Sequence, residues 1–588
     1  MHDFSTCQVL TNQRKADKIK ENGRLDRAIE RKRNMEILKF QGKEFSLSVG
    51  KDTFSVCAGG EEFFELNVRS AVHTEAFRDL DFPVMNRIVE ENSEERLAVV
   101  WEAASQEENC NTMCWEKKEY RLEAKADGFL YTVKVFGKGT PTVVEYFTDA
   151  YKSRQGSKYE VAHYMYPMAL NNVNVECPRD ITQSTTIDLG YFAPPMYCYP
   201  FGMEDGTEWI ALGVAAKPGE YNFNEFQYKN ANNRISFAIP YYGQTRVDGC
   251  WEAPGILGCG GDSYVNVFRH YSEWHYAHGY TKRRHPAKED PRWWKGPLVC
   301  GWGEQCVKGN EDPFSLANQE FYEGISRLID EKGLHPTALI IDDKWQDFYG
   351  TAMPDPKKWP DLRKFVESEH AKGRKVVLWF KTWNHEGLPA DECVDLLCQP
   401  YCADPTSPKY QARVKEMMRK LLSDEEGCYN CDGFKVDFAN CMPLHKWVRA
   451  HESNVVGVEL LHRMIELLYT SAKAVKPEAL FNCSCCHPYF GEFVDQARLH
   501  DYAGEMRSEK TNMRFRRNLF GAAIPEASID TDGSNTATHR SMMDYIRYAP
   551  KLGVPDLYYF DGGEDAQLTE EDWAEIRQIW ETYSDSIE

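Results

Sequence analysis

The chain contains 588 residues, of which 42% are hydrophobic and 13% aromatic, and its formal net charge is −21. That composition is typical of a globular protein, and the excess of acidic residues argues against nucleic acid or an anionic membrane as a partner. No run approaches the ~20 apolar residues that a membrane-spanning helix needs. Nineteen cysteines, and an N-terminus without the apolar core of a secretion signal, predict free thiols in the cytoplasm.

The first two regions of the chain differ in their sequence pattern. Residues 1–34 are dense in charged residues and predict a solvated helix or a loose extension without a catalytic role. Residues 35–285 consist of short alternating runs, the clearest being "EYRLEAKADGFLYTVKVFG", in which two such runs flank Asp127-Gly128. Because alternation around a two-residue turn is typical of a β-hairpin, we predict a large antiparallel β-sandwich over this region.

Residues 286–588 alternate short apolar runs with helical stretches, a pattern that predicts a (β/α)8 barrel. The predicted strands are Leu298–Gly301, Ala338–Asp343, Lys375–Phe380, Gly433–Phe438, Leu480–Cys485, Ala497–Asp501, Ile524–Ile529 and Asp556–Phe560. The predicted helices are Phe314–Ile329, Lys409–Leu422, Leu444–Ala474, Arg507–Phe520, His539–Lys551 and Glu570–Tyr583.

Polar and aromatic residues follow the predicted strands, where a (β/α)8 barrel carries its catalytic groups. In strand order they are Trp302, Asp342 and Asp343, Lys381, Lys435 and Asp437, Cys483 and Cys485, Arg498 and Asp501, and Asp530 and Asp532.

The segment "DGFKVDFAN" (432–440) places two charged residues inside an apolar strand, although burying an unpaired charge is costly. Residues two apart share a face of a strand. If Phe434, Val436 and Phe438 face the helices, Lys435 and Asp437 point into the barrel mouth. There the ammonium would favour the ionised carboxylate, as a nucleophile requires. A structural ion pair explains this motif equally well.

A second carboxylate favours catalysis. Asp501 ends the predicted sixth strand beside Arg498 and His500, and two carboxylates facing each other across a barrel mouth can cleave a glycoside. Asp501 alone would more often be a helix cap or a salt-bridge partner. Together with Asp437 it is predicted to be an acid/base residue.

Four tryptophans near the ends of the first three strands are consistent with a sugar site. Flat indole rings cover the apolar faces of pyranoses, although each ring alone is more often part of a core. They are Trp302, Trp345, Trp379 and Trp383.

Five motifs occur in an order that resembles the glycoside hydrolase family 36 α-galactosidases of clan D, in particular the raffinose-synthase-like branch. They are "IIDDKWQ" (340–346), "KKWPDLRKF" (357–365), "HAKGRKVVLW" (370–379), "GFKVDFAN" (433–440) and "ARLHDY" (497–502). The chain departs from the family pattern at Lys344, at "CSCC" (483–486) and at "RLHDY" (498–502). The resemblance implies a β-sandwich followed by a (β/α)8 barrel, as the residue patterns also predict.

The resemblance also implies a function: a retaining, exo-acting α-galactosidase of small oligosaccharides that forms a covalent glycosyl-enzyme. It implies Asp437 as nucleophile and Asp501 as acid/base, with neither cofactor nor metal. Its implied sugar ligands are Asp342, Asp343, Lys435 and a fifth-strand cysteine, Cys483 or Cys485. We add Trp302, Trp345, Trp379, Lys381 and Arg498 as candidate substrate contacts from their places at the strand ends.

Other functions remain open at this stage. "CYNC" (428–431) and "CSCCH" (483–487) have zinc-ligand spacing, but we expect them at opposite ends of the barrel. A non-catalytic sugar-binding protein would be expected to lack one of the two carboxylates. A galactosyl-transferring enzyme, or a clan D enzyme acting on α-N-acetylgalactosamine or α-glucose, would use the same groups. The sequence also leaves open whether the chain forms homo-oligomers.

Overall fold

The computed structural model describes residues 36–79, 85–104, 115–148, 157–159, 164–165, 175–180, 183–187, 196–202, 207–230, 234–241, 243–284, 290–443, 447–499, 509–533, 538–560 and 567–587. None of the helices within these ranges combines the length and the apolar character needed to cross a membrane.

The N-terminal part folds into antiparallel β-sheets. Its strands are β1 (Leu38–Gln41), β2 (Ser46–Val49), β3 (Thr53–Ala58), β4 (Glu61–Asn67), β5 (Ala71–Thr74), β6 (Met85–Asn92), β7 (Leu97–Ala104), β8 (Trp115–Lys125), β9 (Gly128–Gly139), β10 (Pro141–Tyr146), β11 (Ser157–Tyr159), β12 (Tyr164–Met165), β13 (Val175–Asp180), β14 (Gln183–Ile187), β15 (Cys198–Gly202), β16 (Trp209–Ala215), β17 (Gln227–Asn230), β18 (Arg234–Pro240) and β19 (Val247–Gly261).

Two large sheets form the predicted β-sandwich, which is confirmed. One has the order β1-β2-β3-β4-β11-β18-β10-β5 with β17 paired to β18, and the other has the order β12-β15-β16-β19-β9-β8-β7-β6. Aromatic rings join the sheets, since Phe54 of β3 contacts Phe129 and Tyr131 of β9 with ring centroids 6.1 and 6.2 Å apart. The predicted hairpin is β8–β9, whose register pairs Lys125 with Gly128 across a two-residue loop.

A helix, α1 (Tyr264–Ala277), follows the sandwich in a region where we predicted only strands. Ser263 caps its N-terminus by accepting the backbone N–H of Asn266. Its buried residues recur with helical spacing, a signal that the analysis of alternating runs overlooked; they are Val267, Phe268, Tyr271, Ser272, Trp274 and His275. The helix packs between the sandwich and the barrel.

The C-terminal part contains strands β20 (Leu298–Cys300), β21 (Ala338–Ile341), β22 (Lys375–Lys381), β23 (Cys393–Leu396), β24 (Gln399–Ala403), β25 (Gly433–Asp437), β26 (Val448–Arg449), β27 (Leu480–Cys483), β28 (Gln496–Arg498), β29 (Ser528–Asp530) and β30 (Asp556–Leu557). Its helices are α2 (Trp302–Gly309), α3 (Gln319–Glu331), α4 (Leu362–Ala371), α5 (Pro408–Leu422), α6 (Val458–Val475), α7 (Glu509–Ala523), α8 (His539–Tyr548) and α9 (Glu570–Ser586). Short 3-10 turns cover Arg292–Lys295, Pro313–Leu316, Ala390–Glu392, Ala439–Cys441, Pro488–Phe493 and Ala549–Lys551.

Eight parallel strands form the predicted barrel, with the order β29-β28-β27-β25-β22-β21-β20-β30. A bridge between Asp530 and Val554 brings the two ends of this sheet together. The first to eighth barrel strands are therefore β20, β21, β22, β25, β27, β28, β29 and β30. We call their carboxyl ends the mouth of the barrel.

Several predicted boundaries in the barrel differ from the structure, and two of the errors are large. The seventh strand is Ser528–Asp530, not 524–529, because α7 extends to Ala523 and uses the apolar residues before the strand. The helix predicted from residue 444 begins at Val458. Before it, Val448–Arg449 pairs with β23, which also pairs with β24, in a small antiparallel sheet that we did not predict. Helices α2 and α4 were likewise not predicted.

Candidate active site

The fourth barrel strand carries the charged pair of "GFKVD". It starts at Gly433, where a Cβ atom would lie 2.3 Å from the Leu480 carbonyl oxygen, so only glycine fits this close approach to the fifth strand. Phe434 and Val436 are buried in the hydrophobic core. Lys435 and Asp437 lie on the opposite face and point into the barrel, as predicted.

Lys435 lies at the centre of a buried network whose members lie on or directly after four barrel strands, the first, second, fourth and eighth. Its ammonium donates to Asp342 Oδ2 at 2.8 Å and to the Tyr558 hydroxyl at 3.0 Å. The thiol of Cys300 donates to the same Asp342 oxygen at 3.0 Å. Burial opposes the charge of Lys435, but the adjacent Asp342 carboxylate holds the pKa of Lys435 well above its usual value. The lysine is therefore a permanent cation, and its partner is Asp342 rather than Asp437.

Asp437 receives its positive partner from the sixth strand. Arg498 Nη2 donates to Asp437 Oδ1 at 2.8 Å, and the indole N–H of Trp379 donates to Oδ2 at 3.0 Å. The backbone N–H of Phe438 also donates to Oδ1, at 2.8 Å. Such donors stabilise the charge of a carboxylate and fix its orientation. The Asp437 side chain keeps 17% of its surface exposed against 2% for Arg498, so a ligand in the mouth can reach it.

The prediction that Lys435 pairs with Asp437 is therefore wrong, because Arg498 holds Asp437. The predicted contact of Arg498 with substrate stays a prediction. Arg498 is itself anchored, because its Nη1 donates to Asp532 at 2.7 Å from the seventh strand. Asp532 and Asp530 are completely buried. Asp530 and Asp532 were predicted to lie at the end of the seventh strand, but the sequence did not indicate which residues they contact.

Asp343 is a second buried carboxylate of the mouth. Its Oδ1 accepts the Tyr349 hydroxyl at 2.7 Å, while its backbone N–H donates to Asp342 Oδ1 at 2.8 Å. Burial, together with the nearby charge of Asp342, outweighs the tyrosine hydrogen bond and raises the pKa of Asp343 to about 6. An ordinary aspartate has a pKa near 4, so Asp343 loses its proton at a higher pH than an ordinary aspartate does.

We expect Asp343→Asn to be more stable than the wild type at pH 7. The folded state binds the Asp343 proton more tightly than the unfolded state, so its contribution to stability is present below about pH 4 and is lost as pH rises to about 6. Removing the charge should return about 1–3 kcal/mol at pH 7. Melting temperatures measured from pH 4 to 8 should therefore diverge as pH rises, and a parallel pair of curves would contradict the assignment.

Several residues at the strand ends have left-handed backbone conformations, which non-glycine residues rarely adopt. Lys344, Trp383, Phe438 and Asp532 have φ angles of 71°, 65°, 57° and 47° and lie at the ends of the second, third, fourth and seventh strands. Such strain tends to cluster at functional sites. At Phe438 it also corrects our prediction that this ring faces the helices. The ring instead contacts Trp379, with centroids 6.0 Å apart.

The four predicted tryptophans differ in how close they lie to the carboxylates of the mouth. Trp379 contacts Asp437 directly, whereas Trp345 is completely buried and donates its indole N–H to the Trp379 carbonyl at 2.8 Å. Trp383 is buried and donates to the Ala439 carbonyl at 3.2 Å. Trp302 begins α2, and its ring centroid lies 6.1 Å from that of Phe314. Only Trp379 is joined to a mouth carboxylate by a hydrogen bond in the described residues.

The fifth-strand thiols lie close together. The Sγ atoms of Cys483 and Cys485 are 3.4 Å apart, and both residues are completely buried. His487, the last residue of "CSCCH", lies beside α1, and its ring nitrogens contact the Tyr271 hydroxyl of that helix and the Tyr489 backbone N–H. Within the described ranges no cluster of His, Cys, Asp or Glu has the arrangement of a metal site.

Asp501 and His500 lie outside the described residues, so the place of the predicted acid/base relative to Asp437 stays a prediction. The structure adds two tyrosines that the sequence analysis missed, Tyr349 on Asp343 and Tyr558 on Lys435. Tyr558 immediately follows the eighth barrel strand, which the strand-end argument could have included. Tyr349 lies in a loop and carried no signal.

No protein-family model and no curated protein sequence matches this chain. Several solved structures, in contrast, are similar to the structure of this chain. A GH31 family sulfoquinovosidase from E. rectale, in complex with an aza-sugar inhibitor, has a TM-score of 0.54 and 12% identity over 92% of this chain and 82% of that chain. The catalytic subunit of ER glucosidase II, in complex with the binding domain of its regulatory subunit, has a TM-score of 0.50 and 10% identity over 92% and 68%.

An α-galactosidase from Thermus thermophilus in complex with stachyose has a TM-score of 0.48 and 14% identity, over 84% of this chain and 99% of that chain. At identities this low, what the first two structures establish is a shared fold. The chain therefore shares with these glycoside hydrolases the arrangement of a (β/α)8 barrel with antiparallel sheets before it.

Proposed function

We propose that the chain is a retaining, exo-acting α-glycosidase of the α-galactosidase type, related to glycoside hydrolase family 36, that cleaves small oligosaccharides. The observation that carries the proposal is the setting of Asp437. It is a partly exposed carboxylate at the end of the fourth barrel strand, with three donors aimed at its two oxygens. A charged and oriented carboxylate at the mouth of a (β/α)8 barrel suits a nucleophile.

In the proposed reaction Asp437 attacks the anomeric carbon while Asp501 donates its proton to the departing glycosidic oxygen. The carbon–oxygen bond to the aglycone breaks as the ester to Asp437 forms. Asp501, now ionised, then takes a proton from water, whose oxygen attacks the same carbon and releases the Asp437 carboxylate. Two inversions give net retention of configuration.

The other mouth residues have binding roles in this proposal. Asp342 and Asp343 accept hydrogen bonds from sugar hydroxyls, and Lys435 holds the Asp342 carboxylate in place. Arg498 and Trp379 act through Asp437, which they orient. A fifth-strand thiol, Cys483 or Cys485, borders the sugar, and we place the enzyme in the cytoplasm, where free thiols persist.

The galactosyl preference rests on the sequence resemblance, and a panel of 4-nitrophenyl α-glycosides tests it. We expect kcat/KM to be highest for an α-galactoside glycone, above the α-glucoside and the α-N-acetylgalactosaminide. Cleavage of another α-glycoside alone would assign a different glycone to the same machinery. Product analysis at high acceptor concentration would reveal galactosyl transfer in place of hydrolysis. No cleavage of any α-glycoside would contradict the proposed function.

The role of Asp501 predicts a chemical rescue. We expect Asp501→Ala to lose most activity on substrates with poor leaving groups and much less on activated aryl glycosides, because the latter need no proton. Azide, which also needs no general base, should restore turnover and give the α-glycosyl azide. NMR identifies that product. Absence of rescue would contradict the role of Asp501, and formation of the β-azide would contradict retention.

A further inference from the structure

The ammonium of Lys381, at the end of the third barrel strand, is in contact with aromatic rings and with no carboxylate of the described residues. It lies 4.5 Å from the centroid of the Tyr349 ring and 4.6 Å from that of Phe438. Within the described part of the chain it makes no hydrogen bond and no ion pair. The side chain is half-buried, so these two rings replace part of the water around its charge.

Three other cations at the described strand ends each contact a carboxylate. These pairs are Lys435 with Asp342 at 2.8 Å, Arg498 with Asp437 at 2.8 Å, and Lys344 with Glu386 at 3.2 Å. Asp343 and Glu386 are near enough to attract the Lys381 ammonium electrostatically, but neither carboxylate forms an ion pair with it in the described residues. Within the described protein the ammonium of Lys381 is therefore in contact with two aromatic rings and with no carboxylate at ion-pair distance.

Lys381 also lies at the reacting centre. The parallel register pairs its backbone with that of Asp437 on the fourth strand. It shares a strand face with Trp379, two residues earlier, whose indole contacts the Asp437 carboxylate. The ring on one side of the ammonium belongs to the tyrosine that holds Asp343, and the other ring follows Asp437 directly. A sugar bound between Asp343 and Asp437 would therefore have the ammonium of Lys381 as a neighbour.

We propose that the sugar cleaved at this site carries an anionic group, a carboxylate or a sulfonate on its exocyclic carbon, and that Lys381 binds this group. The inference rests on the proposed function, and it specifies that the α-glycosides cleaved at this site are acidic. Contact with aromatic faces stabilises a cation by only about 0.5–2 kcal/mol. A hydrogen bond to a charged group contributes more, about 1.5–3 kcal/mol. A compact ammonium with three free donors is suited to an acidic group.

The test uses sets of 4-nitrophenyl α-glycosides, in galacto and gluco configuration, that differ only in a CH2OH, COO⁻ or CH2SO3⁻ group at the exocyclic carbon. We expect the wild type to favour an anionic member. Lys381→Gln should lower the anionic-to-neutral ratio of kcat/KM by about 10–100-fold, and Lys381→Arg should keep most of it. Lys344→Gln is the matched control, because its ammonium also lies over the Tyr349 ring but is paired with Glu386, so that the ratio should not change.

Binding measurements separate this inference from the proposed function. Isothermal titration of Asp437→Asn with galactose, galacturonate and the 6-sulfonate, and with their gluco counterparts, needs no turnover. If no glycoside is cleaved, the proposed function fails. The role of Lys381 is still supported if Asp437→Asn binds an acidic sugar more tightly than its neutral counterpart and the double variant Asp437→Asn/Lys381→Gln does not. Equal or tighter binding of the neutral sugars, or an unchanged ratio in the folded Lys381→Gln variants, would overturn it. If the Lys381→Gln variants do not fold, Lys381→Met in the same Asp437→Asn background replaces them, and an unchanged acid-to-neutral ratio there would overturn the inference.

Discussion

Asp437→Asn should lose at least on the order of 10³-fold in kcat on every substrate, because an amide cannot attack the anomeric carbon. The protein should stay folded. The new side-chain oxygen can still accept from Trp379 or Arg498, and Arg498 keeps its second carboxylate, Asp532, at 2.7 Å. Steady-state kinetics and thermal melting of the same samples give both quantities.

Asp532→Asn is the matched control for this variant, because it removes the other carboxylate of Arg498 and leaves the nucleophile in place. We expect it to reduce kcat less than Asp437→Asn does. Asp437→Asn retaining more than a tenth of wild-type kcat would exclude Asp437 as the nucleophile.

Lys435→Met should destabilise the barrel by about 3–5 kcal/mol, because it leaves the buried Asp342 carboxylate without its cation. The two side chains are 4% and 3% exposed and 2.8 Å apart, so water cannot take over the role of the ammonium. Activity should fall as well, since Asp342 would no longer be held as a charged acceptor. Denaturant unfolding and kinetics of the folded fraction measure the two effects separately.

The double variant Lys435→Met/Asp342→Leu distinguishes a broken ion pair from lost packing. An apolar pair of similar volume can replace a buried salt bridge at little cost, so the double variant should regain most of the stability and none of the activity. If the double variant is less stable than Lys435→Met alone, the destabilisation does not come from an unpaired Asp342.

The sequence predicted the architecture because both sheet types have strong patterns. The alternation in β8 and β9 placed a hairpin to within one residue of its loop, and apolar runs between helices indicated all eight barrel strands. The errors arose where two elements share apolar residues, as at α7 and β29, or where a helix follows a long series of strands, as at α1.

Part of the candidate site was predicted from the sequence, but the pairings between its side chains were not. Strand-end position placed Asp342, Asp437 and Arg498 in one mouth, because period 2 fixes which face a residue occupies. It could not show that Arg498 rather than Lys435 contacts Asp437. That choice depends on side-chain reach across the barrel, between strands far apart in sequence. Phe438 escaped prediction for another reason, since its left-handed backbone breaks the alternation that the argument assumed.

Trapping the covalent intermediate tests the central claim most directly. An activated 5-fluoro-α-glycosyl fluoride of the preferred glycone, incubated with the wild-type enzyme and followed by proteolysis and mass spectrometry, should add one fluoroglycosyl group to the peptide that contains Asp437. Fragmentation should place the group on that side chain, and Asp437→Asn should remain unlabelled. A label on another residue, while Asp437→Asn is still labelled and still turns over substrate, would contradict the proposal that this carboxylate is the nucleophile.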